Sequence, residues 1–282
     1  MRICRYNADC LGLVKGDQLI DVTIALECIP ERRWPHPPGD QMIAHLAPIM
    51  DEIENHRKMG YVQGVNNVTL KSPIANPTKV IGAPANYRDH VAEAAADSAI
   101  NFGREIKTIE EYGLFLKNPH LVGAGERIVL GHTDRRNDHE VEIAMIIGKP
   151  AKNVGYDEAL DYVAGYSVGL DTTVRGVEDR SLRKALDSYS LLGPWMTTAD
   201  EIENPDDLNF RIKVNGETRQ DSNTKHLVFD CRKLIEYASK FYTLYPGDVI
   251  MTGTPQGVGP LEPGDTLVCE ADIIGRMEVE VR

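Results

Sequence analysis

Short apolar runs bounded by Gly, Pro and Asn, several of them alternating with polar positions, predict a chain of short strands with few helices. Strands are expected at Leu11–Val14, Gln18–Val22, Val80–Gly82, Gly113–Leu116, Arg127–Leu130, Glu140–Ile147, Val163–Leu170, Asn209–Val214, Asp248–Thr252, Thr266–Ala271 and Arg276–Val281. One helix is expected over Gln41–Arg57, where Ile43, Leu46, Ala47, Met50, Ile53 and Glu54 approximate a stripe at helical spacing. Others are expected at Tyr87–Ala96, Glu158–Tyr162 and Leu227–Phe241. Asn215-Gly216 between two strand-like runs is a hairpin signal, because both turn positions need positive φ. Irregularly spaced strands with few helices imply a mixed β-sheet or barrel-like α+β fold, not a βαβ series. Pro73 and Pro77 punctuate the chain, so a small N-terminal α+β domain is expected over residues 1–75 and a larger one over 76–282.

Composition narrows the function classes. With 42% apolar and 26% charged residues, the 282-residue chain is globular and long enough to bury a substantial core. A net charge of −12 argues against nucleic acid or an anionic membrane surface as partner, since phosphate binding needs concentrated Lys and Arg. Five scattered cysteines without a Cys-x-x-Cys pair indicate neither a zinc ribbon nor a disulfide framework, and fit a reducing cytoplasm. The N-terminus shows no apolar signal core and no run is long enough to span a membrane, so a soluble, unprocessed protein is expected.

The chemistry begins at Asp138-His139-Glu140-Val141-Glu142. On a strand, Glu140 and Glu142 share a face by the period of two, and two carboxylates entering an apolar run call for a cation. Asp171 closes the apolar run Gly165–Asp171 and offers a third oxygen ligand to Mg²⁺ or Mn²⁺. A solvated strand face gives the same alternation, and spacing does not separate the two. His90 and Glu93, at i and i+3, would face the same way on a helix, so that Glu93 could fix one tautomer of an imidazole that takes a proton from water. Thr252–Gly259 is Gly-rich but lacks the Gly-Lys-Ser/Thr of a phosphate loop; its backbone could still present amides to a carboxylate.

Taken in order, Asn86–Glu93, Leu114–Pro119, Asp138–Glu142, Gly165–Asp171, Leu192–Trp195, Val214–Glu217 and Pro246–Gly259 resemble the fumarylacetoacetate hydrolase family, in particular its acylpyruvase and 2-hydroxyhepta-2,4-diene-1,7-dioate isomerase group. The resemblance spans about residues 79–282. It implies a β-sheet-roll fold, a homodimer, and Mg²⁺ or Mn²⁺ (Ca²⁺ also admitted) held by Glu140, Glu142 and Asp171. It also implies catalytic roles for His90 and Glu93 on a lid and for Lys184 at the substrate, with Thr254 binding substrate. The stretch between Asp171 and Lys184 is shorter than in many relatives, which makes Arg183 a competitor for the lysine's role and Arg175 and Glu178 candidate substrate contacts. Tyr166, Tyr189, Trp195 and His139 read as packing or supporting residues.

The expected activity is hydrolytic C–C cleavage of a small 1,3-dioxo or acylpyruvate-type acid through a metal-stabilised enolate, as in aromatic compound catabolism. Decarboxylation, tautomerisation, isomerisation or dehydration of a 2-oxo acid is the alternative. A catalytically inactive dimeric binding protein is the reading from another class.

Overall fold

The computed structural model describes residues 1–282. Strand Val141–Ile147, apolar at every position but Glu142, is buried along its length in the middle of an 11-stranded sheet. A run this uniformly apolar suits a strand covered on both faces. Its antiparallel neighbours are Val163–Asp171 and Val249–Met251. Beyond Val163–Asp171 lie Ser190–Thr198, Arg2–Tyr6, Cys10–Lys15, Gln18–Asp21 and Val62–Gly64. Beyond Val249–Met251 lie Val80–Gly82, paired in parallel, and Phe115–Lys117. The N-terminal strands thus continue the same sheet as the strands that carry the acidic residues.

Two small sheets complete a mixed α+β architecture of the expected class. Thr173–Val174, Asn137–His139 and Gly259–Pro260 form one; Glu217–Asn223, Asn209–Val214, Thr266–Ala271 and Gly275–Glu280 form the other. Asn215 and Gly216 turn the predicted hairpin at φ 51° and 85°. Helix Cys231–Phe241 starts where Asp230 accepts Lys233 N–H at 2.8 Å, and buries Leu234, Ile235 and Ala238.

Several expectations need correction. The helix predicted over Gln41–Arg57 breaks at His45 into Gln41–Ala44 and Leu46–His56. Pro48 has no N–H for the Ala44 carbonyl, so a continuous ladder is impossible there. The buried stripe becomes Ile43, Ile49 and Ile53, leaving Ala47 and Glu54 exposed. Arg127–Leu130 is not a strand: Arg127 has φ 76°, and Val129 N–H goes to Ser188 Oγ. The helices expected from Tyr87, Glu158 and Leu227 start at Arg88, Ala159 (a 3₁₀ turn) and Cys231. The strand expected over Glu140–Ile147 begins at Val141, because Glu140 is where the chain passes from strand Asn137–His139 of a small sheet into the large one. Strands Arg2–Tyr6 and Ser190–Thr198 have no counterpart in the sequence pattern; Pro194 disguises the second, and its register with Val163–Asp171 shifts between Tyr166 and Val168.

Candidate active site

Strand register assembles the acidic cluster. Glu142 pairs with Gly169, Val141 with Leu170, and Asp171 N–H donates to Glu140 O at 2.9 Å. Oxygens of Glu140, Glu142 and Asp171 lie within 4.8 Å of one another. The three residues are 5%, 1% and 1% exposed, so water does not carry their charge.

Two of the three carboxylates have cationic partners. Lys184 Nζ donates to Glu140 Oε2 at 2.7 Å, Asp171 Oδ2 at 2.8 Å and Thr173 Oγ1 at 2.6 Å. Arg175 Nη2 donates to Glu140 Oε1 at 3.0 Å, and the fully buried Lys117 donates to Asp171 Oδ1. Glu142 has no ion pair; its partner is Gly253 N–H at 2.6 Å. Burial opposes charge on both glutamates. At Glu140 the Lys184 and Arg175 cations overcome it and hold the carboxyl well below the usual range, whereas at Glu142 Asp171 and Glu140 add to it and push the carboxyl well above. Three converging hard oxygens, one without a counter-cation, fit a divalent ion such as Mg²⁺ or Mn²⁺.

His90 and Glu93 face each other on helix Arg88–Ala96, with His90 Nδ1 3.0 Å from Glu93 Oε2. Glu93 Oε1 accepts Gly257 N–H at 2.8 Å. Burial opposes its charge, but the His90 bond and the Gly257 amide prevail and hold its carboxyl below the usual range. The two glycines are required by geometry. Gly253 has φ +100°, and a Cβ there would meet Asn86 Cβ at 2.7 Å; Gly257 has φ +94°, and a Cβ would meet Arg219 O at 2.0 Å. The turn does present amides to carboxylates, and at Gly253 and Gly257 these are the protein's own Glu142 and Glu93.

Behind the cluster, Gln220 Oε1 accepts Val141 N–H at 3.1 Å and lies 3.1 Å from His139 Nδ1. Its Nε2 donates to Thr254 Oγ1 at 2.7 Å, and Thr254 Oγ1 donates to Val141 O at 2.9 Å. The Val141 amide fixes Gln220 Oε1 as acceptor, so His139 donates from Nδ1. Burial lowers the His139 pKa. A second network runs outward from Glu140: Arg175 Nε donates to Asp138 at 2.7 Å, Arg136 Nε donates to Asp138 at 2.7 Å, and Arg136 Nη1 donates to Asp97 at 2.9 Å.

His90, the three carboxylates, Lys184, Thr254, Arg175 and Glu178 all line one cavity of about 470 Å³. Arg175 is tied to Asp138 and Glu140, and Glu178 to Arg135, so neither side chain hangs free. Sequence reasoning missed Lys117, Gln220, Arg136 and the Asp138 bridge. Asp138 and Lys117 stand in the motif blocks but carry no local signal of their pairing.

Residues 79–282 match the family described as fumarylacetoacetate (FAA) hydrolase C-terminal. Over its full length the chain is 51% identical to a maleylpyruvate hydrolase of Aquipseudomonas alcaligenes, covering 99% of that protein. The crystal structure of maleylpyruvate hydrolase from Sphingobium sp. SYK-6 in complex with manganese(II) ion and pyruvate superposes with a TM-score of 0.83 at 36% identity, covering 100% of this chain and 98% of that one. A probable 2-hydroxyhepta-2,4-diene-1,7-dioate isomerase from Mycobacterium abscessus superposes with a TM-score of 0.79 at 26% identity, covering 100% and 97%.

Proposed function

This chain belongs to the fumarylacetoacetate hydrolase family, and from that premise we propose that it is a divalent-metal-dependent hydrolase cleaving a C–C bond in a small acylpyruvate-type acid. The observation that carries the reading is the meeting, in one cavity, of three buried carboxylates with His90, whose ring is held from behind by Glu93. Glu140, Glu142 and Asp171 would hold Mn²⁺ or Mg²⁺, which supplies Lewis-acid polarisation of the substrate oxygens when bound.

His90 takes a proton from water at Nε2, and Glu93 balances the imidazolium that forms. The oxygen adds to the distal carbonyl carbon. The bond from that carbon to the neighbouring methylene then breaks, releasing a carboxylic acid, and the methylene gains a proton to become the methyl group of pyruvate. Lys184, beside Glu140 and Asp171, is the donor we assign to that proton. Thr254, Arg175 and Glu178 form wall against which the substrate lies.

Tautomerisation or decarboxylation of a 2-oxo acid, which needs no water attack, is the second reading; likeness to the Mycobacterium isomerase favours it. We also read residues 1–75 as a small N-terminal domain whose strands extend the large sheet, the assembly as a homodimer and the location as cytoplasmic. The test is turnover by the Mn²⁺-loaded protein across acylpyruvates, oxaloacetate and sugar-derived 2-oxo acids. Pyruvate released from an acylpyruvate supports hydrolysis; turnover confined to oxaloacetate rejects it.

A further inference from the structure

One buried side chain outside the cavity ties the acidic cluster to the turn that lines the cavity beside it. Gln220 lies in strand Glu217–Asn223, buried between exposed Arg219 and Asp221. Strand register sends it inward: Ile212 pairs with Gln220 and Lys213 with Thr218, so Arg219 is an extra residue, and a bulge of this kind re-aims the side chain next to it. Thr254 lines the cavity and Gln220 does not.

Both ends of the amide are determined by their partners. Val141 N–H can only donate, so the atom 3.1 Å from it is Oε1; Pro255 O can only accept, so the atom 2.8 Å from it is Nε2. The second Nε2 hydrogen goes to Thr254 Oγ1 at 2.7 Å, and His139 Nδ1 takes the second lone pair of Oε1 at 3.1 Å. All four hydrogen-bonding positions of the side chain are filled. A buried amide in that state specifies one geometry.

The bonds converge on Val141, the residue between Glu140 and Glu142. Its N–H goes to Gln220, and its carbonyl accepts the Thr254 hydroxyl at 2.9 Å. No backbone ladder holds the turn here, because the N–H groups of Thr254 and Gln256 donate to no backbone carbonyl. The turn packs directly on the strand of Gln220, where a Cβ on Gly257 would meet Arg219 O at 2.0 Å.

We propose that Gln220 is a positioning residue for substrate binding, which sets the affinity for the oxo acid by fixing Thr254 against the strand that carries the acidic cluster. It acts through Thr254 and does not touch the ligand. The inference rests on reading the cavity as the place where an oxo acid binds.

The test titrates pyruvate, the product assigned above, into the Mn²⁺-loaded protein by calorimetry. Gln220→Met removes all four bonds and should weaken pyruvate binding at least about tenfold, with Mn²⁺ still bound stoichiometrically. Gln220→Glu keeps an oxygen for Val141 and offers at most one proton to Thr254 and Pro255, so its affinity should fall between; it carries the test if Gln220→Met does not fold. Thr254→Val removes the hydroxyl through which Gln220 acts. Combined with either Gln220 variant, its loss should fall at least about threefold short of the product of the two single losses. Wild-type pyruvate affinity in the Gln220 variants, or losses that simply multiply, would overturn the inference and leave Gln220 a packing residue. A wild-type protein that takes up Mn²⁺ but no pyruvate would contradict the oxo-acid reading itself, so the two failures are distinct.

Discussion

Gly257 donates its backbone N–H to Glu93 at 2.8 Å, tying the helix that carries His90 to the turn that follows strand Val249–Met251. Glu93 therefore orients His90 with one oxygen and docks its helix with the other. The carboxyl is held below the usual range, so its contribution to stability is whole above the unfolded pKa of about 4.3 and lost as pH falls through the folded value. Glu93→Gln should lower the urea midpoint at neutral pH, and the difference from wild type should shrink once the pH is below the unfolded value of about 4.3. Urea melts at the two pH values check this; a difference that widens on acidification contradicts it.

Glu142 carries the opposite imbalance, being buried beside Asp171 and Glu140 with an amide but no cation. Glu142→Gln should weaken Mn²⁺ binding by at least about 100-fold. Without metal, the same variant should melt at or above the wild-type temperature, because a buried carboxylate that lacks a counter-cation has been removed. Calorimetry and thermal melts with and without chelator measure the pair of effects. Stoichiometric Mn²⁺ in the variant would show the ligand assignment to be wrong.

Lys117 is buried against Asp171 and the Lys184 carbonyl, and burial lowers its pKa despite the Asp171 charge. Lys117→Met leaves Asp171 with Lys184 alone, and the metal-free protein should lose about 3–5 kcal/mol, the range for breaking one side of a buried ion pair. Added Mn²⁺ should recover part of that loss. Denaturant melts with and without Mn²⁺ test it, and a loss below about 1 kcal/mol would mean that Lys117 is not a needed counter-charge.

These residues mark how far local pattern reaches. Glu140, Glu142 and Asp171 are legible because acids in apolar strands conflict with burial, and His90–Glu93 because i,i+3 spacing brings the two together on a helix. Lys117 ends a three-residue strand, and Gln220 sits in the polar strand Glu217–Asn223, so nothing beside them in sequence announces their partners. Their roles come from pairings 54 and 34 residues away, to Asp171 and Thr254. Strand Ser190–Thr198 was hidden by Pro194, and the break at Glu140 by a continuous alternation that spans two sheets. Long-range register, not local propensity, fixes these features.

The central claim is that water attacks a carbonyl in this cavity, with His90 as the base. It is tested most directly by turning over an acylpyruvate with the Mn²⁺-loaded protein in ¹⁸O-labelled water and weighing the carboxylic acid released. Hydrolysis places one solvent oxygen in the new carboxylate at the first turnover. Product acid formed without the label would contradict the account.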